Sequence, residues 1–217
     1  DLTIVVSEVE VAELLKEQSD AKVAVVSNIH EVALNTTGFD DRSGVMFVGG
    51  FQHPPNVDAV EFYANEIWPL LIERCPNLET YIIGSRMPES LRKLGESKGL
   101  KMLGFVEDLT PYYESCRLAI APLRYGAGVK GKVNQALSFG LPVVGSAVAV
   151  EGMNLTHELE VMVAETAEDF AESIIKVCSD PALWRTLSER GRASLAGRFT
   201  PEVAEQALRD ALAPWLN

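Results

Sequence analysis

What most constrains this chain is the alternation of short apolar runs with segments of helical period. Seven runs, at 3–6, 22–26, 45–48, 80–83, 101–103, 118–121 and 142–144, are mostly β-branched or aliphatic and lack polar alternation. Parallel strands covered on both faces read this way. Between most of them lie helical patterns at 8–17, 57–74, 89–98, 110–116 and 132–139. That order predicts an α/β fold, a Rossmann-like doubly wound parallel sheet. From 166 onward the strand signal stops and extra C-terminal helices are predicted at 167–178, 181–197 and 201–215. Pro181 and Pro201 each follow a capping residue, Asp180 and Thr200, and proline suits the first helical turn.

Composition matters here mainly through charge. The 217 residues are 47% hydrophobic with a net charge of −12, enough for a core and unfavourable for gathering nucleic acid or anionic lipid. An anionic ligand must therefore be held locally. Residues 1–41 carry nine acidic and two basic side chains, whereas 115–150 contain no acid and hold Arg117, Arg124, Lys130 and Lys132. Composition alone predicts about five acids in that stretch of 36. Cys75, Cys116 and Cys178 are far apart with no metal-ligand spacing, which points to a reducing compartment and no metal site. No apolar run approaches the roughly 18–20 residues that span a bilayer, and no signal-peptide pattern follows Asp1. The expectation is a cytoplasmic chain with no transmembrane segment, trimmed from something longer.

Inside the acid-free stretch, Pro122-Leu-Arg-Tyr-Gly-Ala-Gly-Val-Lys-Gly-Lys132 runs from a strand end through a glycine loop into a helix. Gly126, Gly128 and Gly131 allow positive φ and let backbone amides approach a ligand. The following helix presents its positive end, which favours anions, and Lys130 and Lys132 add charge. The pattern reads as a phosphate cradle at the carboxyl end of a strand, the place where open α/β sheets hold ligands. It is not a Walker loop, and its two lysines fit a dinucleotide fingerprint poorly. Gly49-Gly50, Gly84-Ser85 and Gly104-Phe105-Val106 follow other strands, so four loops face one rim.

Read together, these loops resemble the C-terminal half of a group 1 (family 4) glycosyltransferase of the GT-B fold. The residues that carry the resemblance are Phe47-Val-Gly-Gly-Phe51 with Pro55-Asn56-Val-Asp-Ala-Val, then Ile83-Gly-Ser85, then Gly104-Phe-Val-Glu-Asp-Leu109. They continue with Ala121 through Lys132, Gly140-Leu-Pro-Val-Val-Gly145 and Val150-Glu-Gly-Met153. The resemblance implies transfer of a sugar from a nucleotide-diphosphate donor to an acceptor with retention, without an obligatory metal or other cofactor. Arg124 and Lys130 are the expected catalytic cations, stabilising charge on the departing diphosphate, with Lys132 third. Donor binding is expected at Gly49, Gly50, Phe51, Gly84, Ser85, Phe105, Val106, Gly126, Ala127, Gly128, Val129, Lys130, Gly131, Lys132 and Gln135.

The resemblance also implies a division of the chain. Residues 1–28 correspond to the last β-α-β of an N-terminal acceptor domain, 29–42 to an interdomain linker, 43–197 to the nucleotide-sugar domain, and 198–217 to a helix crossing back. An acceptor glycan or lipid-linked sugar would be bound by the rest of the N-terminal domain, with the whole protein peripheral to the membrane. Residues 1–28 are expected to be disordered, to fold onto the last helix, or to pair with another copy. Two departures stand out: the family's glutamate pair falls on Ala127 and Gln135, and no Lys or Arg lies in 51–56. None of His30, His53 and His157 matches the family's catalytic histidine. A non-catalytic nucleotide-binding or scaffold domain, or a sugar-nucleotide epimerase, are the alternative readings; the epimerase would carry rim histidines and acids that this sequence lacks.

Overall fold

A computed structural model of the chain describes residues 1–34 and 37–215. Asn35 and Thr36 of the expected linker, and Leu216 and Asn217 of the expected final segment, lie outside the described residues. A six-stranded sheet forms the centre, built from β3 (Val45–Val48), β4 (Thr80–Ile83), β5 (Lys101–Gly104), β6 (Leu118–Ala121), β7 (Val143–Gly145) and β8 (Met162–Val163). All its pairings are parallel, and its order is β5-β4-β3-β6-β7-β8. The chain builds outward from β3 in one direction and then returns to lay down β6 on the other side. This is the doubly wound order of nucleotide-binding sheets, with its switch point between β3 and β6.

The ladders on the two sides of β3 differ in length. β3 pairs with β4 along its whole length, Val45 to Thr80 through Val48 to Ile83. Its pairing with β6 stops after Val45–Leu118 and Met46–Ala119. The two strands thus part toward their carboxyl ends. Val45, Met46, Phe47, Ile82, Leu118 and Val144 are buried, as expected of strands sandwiched between helices.

Those helices are α2 (Pro54–Phe62), α3 (Trp68–Arg74), α4 (Glu89–Ser97), α5 (Thr110–Ser115), α6 (Gly131–Ser138), α7 (Ala147–Val150), α8 (Ala167–Ser179), α9 (Pro181–Ala196) and α10 (Pro201–Leu212). The single helix expected at 57–74 begins three residues earlier and is interrupted by a π turn at Tyr63–Ile67. Pro69 follows in the first turn of α3; it has no amide to donate and its ring clashes with the carbonyl four residues back, so the ladder widens there. Asp180 caps α9 as expected, accepting from the amides of Ala182 and Leu183 at 2.9 and 3.0 Å. Thr200 precedes α10 without a side-chain cap. Strand β8 and helix α7 had no sequence expectation, being too short to show a period.

The first segment corrects the reading of its strands as covered on both faces. β1 (Thr3–Val5) and β2 (Val23–Val25) form a separate parallel pair flanked by α1 (Glu8–Glu17). No residue of either strand is buried, and Ile4 is 47% exposed. The segment is folded and α10 packs against β2, as in the expected folding onto the last helix.

Arg42, three residues before β3, is 2% exposed. Its guanidinium donates to the carbonyls of Thr37 (3.0 Å), Tyr113 (2.7 Å), Cys116 (3.0 Å) and Phe139 (3.3 Å). Burial lowers its pKa to about 10, so it stays charged at neutral pH. Arg42→Ala should strand several carbonyls at about 1–3 kcal/mol each, and a loss of at least about 3 kcal/mol is expected in urea unfolding followed by circular dichroism. Arg42→Lys, with no fork to span four acceptors, should recover only part of it.

Candidate functional site

The parting of β3 and β6 places two loops across a crevice. After β3 come Gly49, Gly50 and Phe51, then the first turn of α2; after β6 comes the glycine loop, then α6. Neighbouring loops are laced to this rim by backbone bonds: Phe51 N–H to the Ser85 carbonyl (2.9 Å), and Gly84 N–H to the Gly104 carbonyl (2.7 Å). The expected four-loop rim therefore exists. The ring of Phe51 turns into the core, 5% exposed and stacked on Phe47, so Phe51 offers the rim only backbone. Phe105 is the opposite case, 73% exposed at the end of β5, with Val106 packed inward.

Within the glycine loop, Gly126 (φ 124°) and Gly128 (φ 78°) take the left-handed backbone that their type permits, whereas Gly131 is helical and does not. Lys130 folds back, donating from Nζ to the carbonyls of Gly126 (3.1 Å) and Gly128 (2.5 Å). It braces the loop on which Ala127 and Val129 sit. The helices α1, α7, α8 and α9 begin with side-chain caps, while α2, α3, α4, α5 and α10 do not. α6 has none, and no acid lies in its first turn. The Val133 amide bonds back to the Lys130 carbonyl at 2.9 Å, and the positive dipole end of the helix lies at the crevice, a favourable arrangement for an anion.

Lys132, in that first turn, crosses the crevice. Its Nζ lies 4.5 Å from the centre of the Phe47 ring and donates to Oδ1 of Asn56 on α2. Burial, aided by the neighbouring charge of Lys130, pushes its pKa down to about 7. Gln135, one turn on, lies on the same face of α6, with Oε1 3.4 Å from Nδ1 of His30 and Nε2 3.5 Å from Ser138 Oγ. Burial lowers the pKa of His30, partly offset by Gln135. Arg124 is not free: its Nε donates to Asp58 at 2.9 Å in a two-pronged ion pair, with its guanidinium 5.1 Å from the Phe62 ring. The acid-free stretch is thus partly neutralised by an acid from α2.

Asn56, Asp58 and His30 were absent from the residues expected at the site. Each lies far from the glycine loop in sequence and meets it only through the fold; Asn56 and Asp58 stand in the block at 55–60 that carries the resemblance, which assigned them no role. A cleft of about 270 Å³ adjoins the loop between α1 and Ala127–Gly128, lined also by Ser7, Val9, Glu10, Glu13 and Glu151. A larger hollow of about 370 Å³ lies at the amino ends of the strands, beside Ser43, Gly44, Glu79 and Arg117, away from the switch point. Among the described residues no group of His, Cys, Asp and Glu is placed to hold a metal, and no helix is long and apolar enough to cross a membrane.

A family model described as glycosyl transferases group 1 matches residues 42–180. The chain belongs to the group 1 glycosyltransferases. A protein of 44.6 kDa from the cps region of Klebsiella pneumoniae, itself uncharacterized, is 29% identical over 139 residues, covering 60% of this chain and 36% of that protein. Among solved structures, a TarM mutant of S. aureus in complex with fondaparinux, α-GlcNAc-glycerol and UDP superposes with a TM-score of 0.82 at 15% identity, over 96% of this chain and 43% of that one. HepE of Anabaena, in complex with UDP and glucose, gives 0.77 at 16% identity, over 98% and 62%. WaaG, a glycosyltransferase involved in lipopolysaccharide biosynthesis, gives 0.73 at 15%, over 96% and 62%. The fold is that of a GT-B C-terminal domain. The chain thus spans less than two thirds of each of these relatives, from 36% to 62%.

Lys132 carries a stability cost that depends on pH. With its folded pKa near 7 and an unfolded value near 10.4, the unfolded chain binds the extra proton between these limits, so the cost is full below about pH 7 and fades toward pH 10. Lys132→Met, of similar volume, should raise Tm at pH 7, by roughly 2–4 °C for each kcal/mol released. The gain should shrink as pH rises toward 10; calorimetric scans across that range check it.

Proposed function

We propose that this chain is the donor-binding half of a retaining glycosyltransferase, taking a sugar from a nucleotide diphosphate for a polysaccharide or glycolipid. The observation that carries the reading is the uncapped start of α6 at the β3–β6 switch point, with Lys132 set across it. The diphosphate lies on those amides and Lys132. Charge that builds on it as the glycosidic bond breaks is met by dipole and ammonium already in place. Lys132 thereby moves ahead of Arg124, whose charge Asp58 engages, and Lys130 acts by holding the loop as well as by charge. Gln135 takes the ribose, with the amide donating one hydrogen bond and accepting another. Phe105 flanks the base, Gly49, Gly50, Gly84 and Ser85 line the rim, and the sugar continues toward the cleft beside Ala127 and Gly128.

Relatives support this reading without extending it: HepE was solved with UDP and glucose, pneumococcal GtfA with UDP and GlcNAc, and the Klebsiella relative lies in a cps region. The acceptor, a glycan or lipid-linked sugar, is the business of sequence that these relatives have beyond the match, and glycosyl transfer by residues 1–217 alone is not expected. A cytoplasmic site of action, peripheral to the membrane, fits a nucleotide-sugar donor.

Calorimetric titration with UDP, GDP and ADP tests the assignment, since a scaffold domain gives no heat with any of them. Lys130→Ala should weaken binding of the preferred diphosphate by about 1.5–3 kcal/mol, the range for hydrogen bonds to charged groups, and leave its nucleoside unaffected. Equal losses for both would remove the phosphate from this loop. Gln135→Glu should bind as well or better through a charge-assisted bond, while Gln135→Leu should bind worse.

A further inference from the structure

The three cations at the crevice differ in how they are satisfied. Arg124 is held by a carboxylate and Lys130 by two carbonyls of its own loop. Among the described residues, the Lys132 ammonium has a single hydrogen-bond acceptor, a neutral amide oxygen on the other side of the crevice. That amide belongs to Asn56, 8% exposed in the first turn of α2. Its Nδ2 donates to the Gly50 carbonyl at 2.8 Å, and the same carbonyl accepts from the His53 amide at 3.3 Å. A Cβ on Gly49 would stand 2.8 Å from Asn56 Cγ, so the β3 loop is shaped around this one side chain. The orientation of the amide is fixed by its partners: only oxygen can receive the ammonium and only nitrogen can serve a carbonyl.

We propose that Asn56 is the positioning residue of the donor site: it aims the Lys132 ammonium at the diphosphate while leaving its charge unneutralised, and ties that aim to the Gly49–Gly50 turn. The inference rests on the donor reading above. An aspartate here would aim the lysine equally well, but would cancel its charge and repel the ligand. A leucine would fill the space and aim nothing. The groups around Lys132 fit this role. From β3 it meets the Phe47 ring; from α5, Tyr113 shares the small cavity beneath it, its hydroxyl kept protonated by burial. From its own loop it feels Lys130, while Glu151 acts on Lys130. Burial first, and the charge of Lys130 second, make the lysine easier to deprotonate when the site is empty, and a bound diphosphate returns the proton.

The test is calorimetric titration of UDP into the full chain between about pH 7 and 9, in buffers of different ionisation enthalpy, for the natural protein, Asn56→Asp, Asn56→Leu and Lys132→Met. The natural protein should take up close to one proton per UDP near pH 8, with affinity falling by up to tenfold per pH unit. Asn56→Asp should bind with no uptake from Lys132, a flat profile over this range and at least about tenfold weaker affinity at pH 7. Asn56→Leu, which adds no charge, should also lose about tenfold or more, and it decides the matter where the Asp variant does not fold. UDP binding with undiminished affinity in Asn56→Leu, or with the natural proton uptake and affinity in Asn56→Asp, would overturn the positioning role. Strong UDP binding unchanged in Lys132→Met would overturn it too, and would leave the donor reading standing. No binding of UDP, GDP or ADP by the natural protein would overturn the donor reading and this inference with it.

Discussion

The short ladder between β3 and β6 is the constraint on which the rest depends. Two paired positions join these strands, against four between β3 and β4. Had the ladder continued, the carboxyl ends would be closed by backbone hydrogen bonds and no crevice would exist. Because it stops, both strand ends turn outward into loops that begin helices, and the positive end of α6 is directed into the gap. Lys132 then spans the space that the missing ladder leaves, resting on the Phe47 ring and reaching Asn56.

Such a site is destabilising to the empty protein. A desolvated ammonium next to a second lysine, beside uncapped amides, is a set of like partial charges facing one another. The fold tolerates it because the surrounding parts are firmly fixed: Arg42 ties the segment before β3 to α5 and α6, and the neighbouring loops are laced backbone to backbone. Arg124 shows the contrasting solution. Its charge sits within the same acid-free sequence, yet Asp58 has been brought to it, so it contributes order at the rim more than unspent charge.

Much of this was legible in the sequence because it is local. Buried strands such as Val45–Val48 are apolar along their whole length, and the glycine loop announces the turn from strand β6 into helix α6. The six-block resemblance supplied the family, which the match over 42–180 establishes. What was not legible depends on residues distant in sequence or on elements too short for a period. β8 has two residues, and the π turn at Tyr63–Ile67 arises from how one proline fits a continuing helix. The pairing of Arg124 with Asp58, and of Lys132 with Asn56, joins positions 66 and 76 apart. No periodicity encodes such a contact. The first two strands misled for a related reason: an apolar run records a need for cover and does not say where the cover comes from.

That cover has a consequence in time. β2 leans on α10, and roughly 175 residues separate them along the chain. At the roughly 5–20 residues per second of synthesis, β2 waits on the order of 10–35 s before its partner helix emerges. Helix α1, which joins the two strands, carries the acidic side chains Glu8, Glu10, Glu13 and Glu17 throughout the wait. Their mutual repulsion discourages one nascent chain from pairing with another, so the charge of this first segment acts as a guard during birth as well as a surface of the finished fold.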